Sequence, residues 1–180
     1  VIDGTLVLGL AGTVLAFGLF LCTAMIYACL PFLREWHSPL TIVNYVLLGG
    51  ASGFTLAAAF ALASAPALTR FYAGWALILT VLAFASRGAS LRRNARLRPK
   101  STIQTAIGVK HPHIVQKSAG FLGGSFNTRE FFHGKSLAVL RSVKWGFLIT
   151  AFGLPVLFLA MALWTNSTES LPLAFAVQYL

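Results

Sequence analysis

From Leu6 to Leu33 the sequence carries no charged side chain, and a chain that repeats this pattern has few folds open to it. A run of that length exceeds the roughly 18–20 apolar residues that take a helix across a bilayer. Hydrocarbon offers no hydrogen-bond partners, so each backbone N–H and C=O must be satisfied within the segment, and a helix does that. A second charge-free run spans Leu40 to Ala63, and a third, shorter one spans Phe71 to Ser86 between Arg70 and Arg87. A fourth, Trp145 to Trp164, has its two indoles nineteen residues apart. That is about 28 Å along a helix, which places a Trp at each membrane interface. After the polar stretch Asn166 to Ser170, a further apolar run occupies Leu171 to Leu180. The expectation is an all-α, polytopic transmembrane helical bundle forming a single membrane-domain fragment. Its four spans fall at about 6–33, 40–63, 71–86 and 145–164, with a basic connector at 87–144 and the start of a fifth helix at 171–180.

Composition supports the same solvent. Of 180 residues, 57% are apolar and 10% charged, too little polar material to coat a water-soluble globule. Disorder and a disulfide-built scaffold are excluded by the same figures and by the presence of only Cys22 and Cys29. Fourteen Lys and Arg oppose four Asp and Glu, and twelve of the fourteen lie between Arg87 and Lys144. Positive residues crowd both ends of the connector, so the positive-inside rule places it in the cytoplasm. The Arg34 to Pro39 turn then falls on the same side, with Ser64 to Thr69 and Asn166 to Ser170 outside. The first run lacks a basic leader and a cleavage site, so it reads as a span and not a signal peptide. The chain reads as a piece of something longer.

Within the second run, Gly49, Gly53, Ala57 and Ala61 recur every four residues. Helices in lipid associate through close backbone approach at small residues, so this face is expected to be an interhelical seam. Pro155, inside the fourth run, removes a donor and crowds the preceding turn, and a local kink is expected there.

Little chemistry is built into the spans. His37, His111, His113 and His133 all lie outside them, so no axial haem ligand pair is expected in the bilayer. His111 and His113 have no neighbouring carboxylate or Cys to complete a metal site, and Cys22 with Cys29 read as buried small apolar residues. The string His133-Gly134-Lys135-Ser136 lacks the earlier glycine of a phosphate loop, because Arg129 stands there. Span interiors hold hydroxyls and amides, not the ionisable relays of pumps. Asp3, Glu35, Glu130 and Glu169 are too scattered for paired acid and base work. The six basic residues from Arg87 to Lys100 suit lipid headgroups. Further along the connector, Phe126, Arg129, Phe131, Phe132 and His133 stand among glycines and suit a surface that meets another subunit.

The string Tyr27-Ala28-Cys29-Leu30-Pro31-Phe32-Leu33-Arg34-Glu35-Trp36-His37-Ser38-Pro39-Leu40-Thr41 resembles the Trp-then-Pro interhelical turn of the dimethyl sulfoxide reductase anchor subunit family. Ser101-Thr102-Ile103-Gln104-Thr105-Ala106-Ile107-Gly108, with the stretch from Gly123 to Gly134, is similar to a branch of that family assigned to sulfite dehydrogenases. The resemblance covers essentially the whole chain. It implies the later part of a polytopic subunit that binds no cofactor itself and anchors two partners, a molybdopterin catalytic subunit and an iron–sulfur subunit. It also implies electron exchange with membrane quinone as the exchangeable substrate, in the cytoplasmic (inner) membrane of a bacterium, with sulfite as the source of electrons. The family's His-containing quinone motif in an early helix is missing here. Placed at the membrane edge, Trp36 and His37 are candidates to bound a quinone headgroup. His37 or Tyr27 would hydrogen-bond a carbonyl, and Arg34 or Glu35 would assist proton exchange. No metal ligand, nucleic-acid contact or catalytic residue is expected in this chain. A transporter or channel fragment, and a purely structural anchor, remain the other readings of the same residues.

Overall fold

A computed structural model describes residues 3–31, 33–97, 105, 107–111, 113–114, 135–165 and 170–179. Helix α1 is Gly4–Ala28, α2 Pro39–Ser64 and α3 Pro66–Ala95. Helix α4 runs Leu137–Thr165, with a π-helical segment Ile149–Gly153 inside it, and α5 is Ser170–Tyr179. The described residues are helical with no strand, and α1 to α4 are each long and apolar enough to cross a membrane. The connector candidates Phe126, Arg129, Phe131, Phe132 and His133 lie outside the described residues.

The helix ends obey backbone rules and not bilayer depth. Helix α1 stops at Ala28, short of Leu33, because Pro31 follows three residues on and disfavours helix in the residue before it. Helices α2 and α3 are separated only by Ala65, and each opens with a proline, Pro39 and Pro66, whose missing N–H costs nothing in a first turn. Ser38 caps α2 by accepting from Leu40 N–H at 3.2 Å. The apolar stretch 71–86 is only the middle of α3, whose 30 residues reach about 45 Å. Alanine, leucine and arginine are good helix formers, so α3 continues beyond the hydrocarbon to Ala95. Helix α4 likewise begins eight residues before Trp145, where Ser136 accepts from Val139 N–H at 3.4 Å.

Pro155 is accommodated by a widened turn. It has no N–H for the carbonyl of Ala151, and the backbone takes up the mismatch just ahead of it, where Leu154 N–H reaches back five residues to Ile149. The segment carries Phe152 into a small core, with Ala83 and Leu148 as its other buried members. Phe84 and Phe147 rest against the Phe152 ring at 5.5 and 6.0 Å, and the Arg87 guanidinium lies 5.7 Å from the Phe147 ring. Arg87 thus crosses from α3 to α4 over an aromatic face.

The centre of the bundle is the antiparallel pair α2 and α3. Buried positions on α2 are Asn44, Ala51, Thr55, Ala58 and Ala61, and on α3 Thr69, Ala73, Ala76, Thr80, Ala83 and Ser90. Most of these steps alternate between three and four residues, the period that keeps one face toward an antiparallel partner. The four-residue series Gly49, Gly53, Ala57, Ala61 drifts around the helix instead, by about 40° per step at 3.6 residues per turn. Its members therefore part company. Ala61 is buried, Ala57 half-buried, and Gly53 is exposed with nothing within 4 Å of where a Cβ would stand. A Cβ on Gly49 would come within 2.6 Å of the Phe20 ring, so this glycine accommodates α1 and not α3. The expected seam is corrected accordingly. Asn44 Nδ2 donates to Ser90 Oγ at 2.8 Å across the true one, a single polar tie among small residues.

Helix α1 packs on α2 alone to any extent, with Ala24 and Ala28 its only buried residues, while α4 and α5 close the other side around Ala58, Ala73, Ala76, Leu159 and Leu171. Gly49→Val is therefore expected to destabilise the detergent-solubilised protein by about 1–3 kcal/mol through overpacking against Phe20. Gly53→Val should stay within about 0.5 kcal/mol of the parent. Thermal unfolding of the two variants side by side checks this.

Candidate functional site

One end of the bundle gathers the termini of three helices. The end of α1, the turn from Cys29 to Ser38 and the start of α2 meet the C-terminal turns of α3 there. Because α4 runs antiparallel to α3, it begins at this end too, so both shoulders of the basic connector flank the turn.

The turn is held by its own carbonyls. His37 Nδ1 lies 2.6 Å from Ala28 O. A carbonyl can only accept, so Nδ1 carries the proton in this bond and Nε2 is the ring's remaining site. Thr41 Oγ1 donates to Trp36 O at 2.6 Å. Arg93 reaches across from α3, giving one nitrogen to Arg34 O at 3.0 Å and the other to His37 O at 3.1 Å. A fork-shaped guanidinium with donors fixed in a plane suits two carbonyls on either side of a turn better than an ammonium would.

Aromatic rings fill the corner between α1 and α2. Tyr27 meets Trp36 edge-on at 4.9 Å and stacks on Tyr45 at 5.8 Å, both within the range where such pairs attract. Trp36 is nonetheless 47% exposed, and Arg34 and Glu35 are half-buried beside it. A cleft of about 330 Å³ opens at the same corner, lined by Met25, Ala28, Cys29, His37, Ser38, Pro39 and Ile42. Of the sequence candidates, His37 alone lines it. Tyr27 and Trp36 pack on one another in the aromatic cluster, Arg34 and Glu35 belong to the turn, and none of the four lines the cleft.

Sequence reasoning missed Arg93, Thr41, Met25 and Ile42, and it expected Cys22 and Cys29 to be buried, whereas both are exposed, Cys29 in the cleft wall, because α1 buries only Ala24 and Ala28. Arg93 is one of six basic residues between Arg87 and Lys100, and only its place one turn beyond Ser90 on an extended α3 separates it from the rest. Among the described residues no three of His, Cys, Asp and Glu come together as a metal site would require.

Comparison with known proteins gives a strong likeness. The chain is 52% identical over 178 residues to the C subunit of the sulfite dehydrogenase of Allochromatium vinosum, covering 99% of this chain and 55% of that protein. The chain thus spans about half the length of the curated relative it matches. No protein-family model matches the chain, and no solved structure matches it.

Replacing Arg93 with Met should cost about 1–3 kcal/mol, the usual worth of hydrogen bonds from a charged donor. It should also raise protease sensitivity between Arg34 and His37. Arg92→Met, exposed one position away, should do neither.

Proposed function

We propose that this chain is the membrane-anchoring, quinone-interacting part of a sulfite-oxidising complex. The likeness to a protein named as a sulfite dehydrogenase subunit, running across 99% of the chain, carries this reading. In the proposed complex a molybdopterin subunit oxidises sulfite with water to sulfate, releasing two electrons and two protons. An iron–sulfur subunit passes the electrons to the membrane. Quinone takes up two electrons and two protons to give quinol, so sulfite, water and quinone become sulfate and quinol. The membrane is the bacterial cytoplasmic membrane, and the connector with the Trp36–His37 turn faces the cytoplasm, where the partners dock. The basic surface of that end, Arg34, Arg92, Arg96, Arg141 and Lys144 among its residues, suits partners with acidic faces.

The cleft at His37 has the form such a role needs. Its walls are mainly apolar, as an isoprenoid quinone requires, with one imidazole among them. Since Nδ1 is committed to Ala28 O, proton exchange with a quinone oxygen falls to Nε2. An imidazolium donates there to a quinone carbonyl as the ring is reduced, and the neutral ring then regains its proton from water at the membrane edge. Trp36, which meets Tyr27 edge-on in the same turn as His37, would bound the headgroup from outside the cleft.

In the assembled complex, His37→Ala is expected to lower sulfite-to-quinone turnover on the order of tenfold or more. Sulfite oxidation with a soluble dye acceptor should stay unchanged. Trp36→Phe should raise KM for quinone with a smaller effect on kcat. Unchanged quinone kinetics in both variants would remove this cleft as the site, and a wild-type complex without quinone-dependent turnover would remove the function.

A further inference from the structure

Threonine inside a helix commonly gives its hydroxyl proton to the carbonyl one turn back, and the buried Thr55 and Thr80 do so, to Ala51 at 2.8 Å and Ala76 at 2.7 Å. Thr69 departs from them. It is 3% exposed, and its hydroxyl has no hydrogen-bond partner among the described residues. The cause is local. The carbonyl four residues back belongs to Ala65, whose φ of −152° and ψ of 69° lie outside the helix. That carbonyl already accepts from Leu68 N–H at 2.9 Å.

Thr69 is part of the wall of a second cleft, of about 210 Å³, at the end of the bundle away from the connector. Arg70 stands beside it on α3, facing Ala162 and Leu163 of α4 and Leu171 of α5. The sequence has no other Lys or Arg between Arg34 and Arg87, and none after Lys144, so among the described residues Arg70 is the lone basic side chain at this end. The cleft therefore combines an orphaned hydroxyl, an exposed guanidinium and the first turn of a 30-residue helix, all on one rim, with apolar walls opposite.

We propose that this cleft binds a membrane phospholipid through its phosphodiester. Arg70 donates to the phosphate oxygens, and Thr69, turned to its other favoured helical rotamer, adds its hydroxyl. The positive end of the α3 dipole favours the same anion. An acyl chain lies along Ala162, Leu163 and Leu171. Inorganic phosphate shares the headgroup chemistry but leaves that apolar wall uncovered, and a guanidinium at the end of a span is placed at headgroup level.

The test uses the assembled complex, delipidated in detergent, as wild type, Thr69→Val and Arg70→Gln. Phosphatidylglycerol or inorganic phosphate is titrated in, with the unfolding midpoint and retained lipid phosphorus as readouts. Phosphatidylglycerol should raise the wild-type midpoint by several degrees and leave roughly one more phosphorus bound per chain than either variant retains. The rise should fall by half or more in both variants, and inorganic phosphate should do little. Equal rises and equal retained phosphorus in all three proteins would overturn the site. An equal rise with inorganic phosphate would overturn its assignment to lipid. Should Thr69→Val fail to assemble, Arg70→Gln, altered only at an exposed side chain, decides the matter alone.

Discussion

Alanine meets alanine and threonine along the line where α2 and α3 cross the bilayer, and the rest of the molecule depends on how close that brings the two backbones. Lipid is as apolar as any side chain, so no hydrophobic force drives these helices together. What remains is dispersion between closely approaching surfaces and an occasional hydrogen bond. Ala51, Thr55 and Ala58 on one helix with Ala73, Ala76, Thr80 and Ala83 on the other supply the first. Asn44 and Ser90 supply the second. With no side chain longer than threonine in most of the seam, the alanines alone would tolerate a one-turn slip, whereas the slip would part the Asn44 amide from the Ser90 hydroxyl it meets at 2.8 Å.

That register places both functional ends. At one end it brings the last turns of α3 beside the α1–α2 turn, close enough for Arg93 to bind two carbonyls 59 and 56 residues away in sequence. At the other it sets the first turn of α3 against α4 and α5, forming the cleft beside Arg70. The two ends differ in charge in the way their proposed ligands require. The connector end is strongly basic and offers an imidazole in an apolar cleft, while among the described residues the far end carries one guanidinium, Arg70.

Much of the architecture was legible because charge exclusion is a strong signal. Four uncharged runs become four helices, and the breaks at Pro39 and Pro66 follow from proline chemistry. Helix ends were less legible, since hydropathy reports where hydrocarbon stops and not where hydrogen bonding stops. The turns of α3 beyond Arg87 and of α4 before Trp145 show the difference. Gly49, Gly53, Ala57 and Ala61 looked like a seam because each is small, but over three four-residue steps the series turns from α1 at Gly49 past open space at Gly53, and only the three-and-four alternation of the neighbouring face stays on α3. At the candidate site, Trp36 and His37 stood out as polar or aromatic residues at a span end. Arg93 did not, because nothing in a run of like charges marks the member that turns back to bind a loop.

The register of α2 against α3 is the claim on which both sites rest, and crosslinking in native membranes tests it most directly. With Cys22 and Cys29 replaced by alanine, a cysteine pair introduced at positions 44 and 90 should form an intramolecular disulfide under mild oxidation, because the native side chains meet at 2.8 Å. A pair at 53 and 76 should not, because position 53 faces away from the seam. Crosslinking of the second pair without the first would contradict the account.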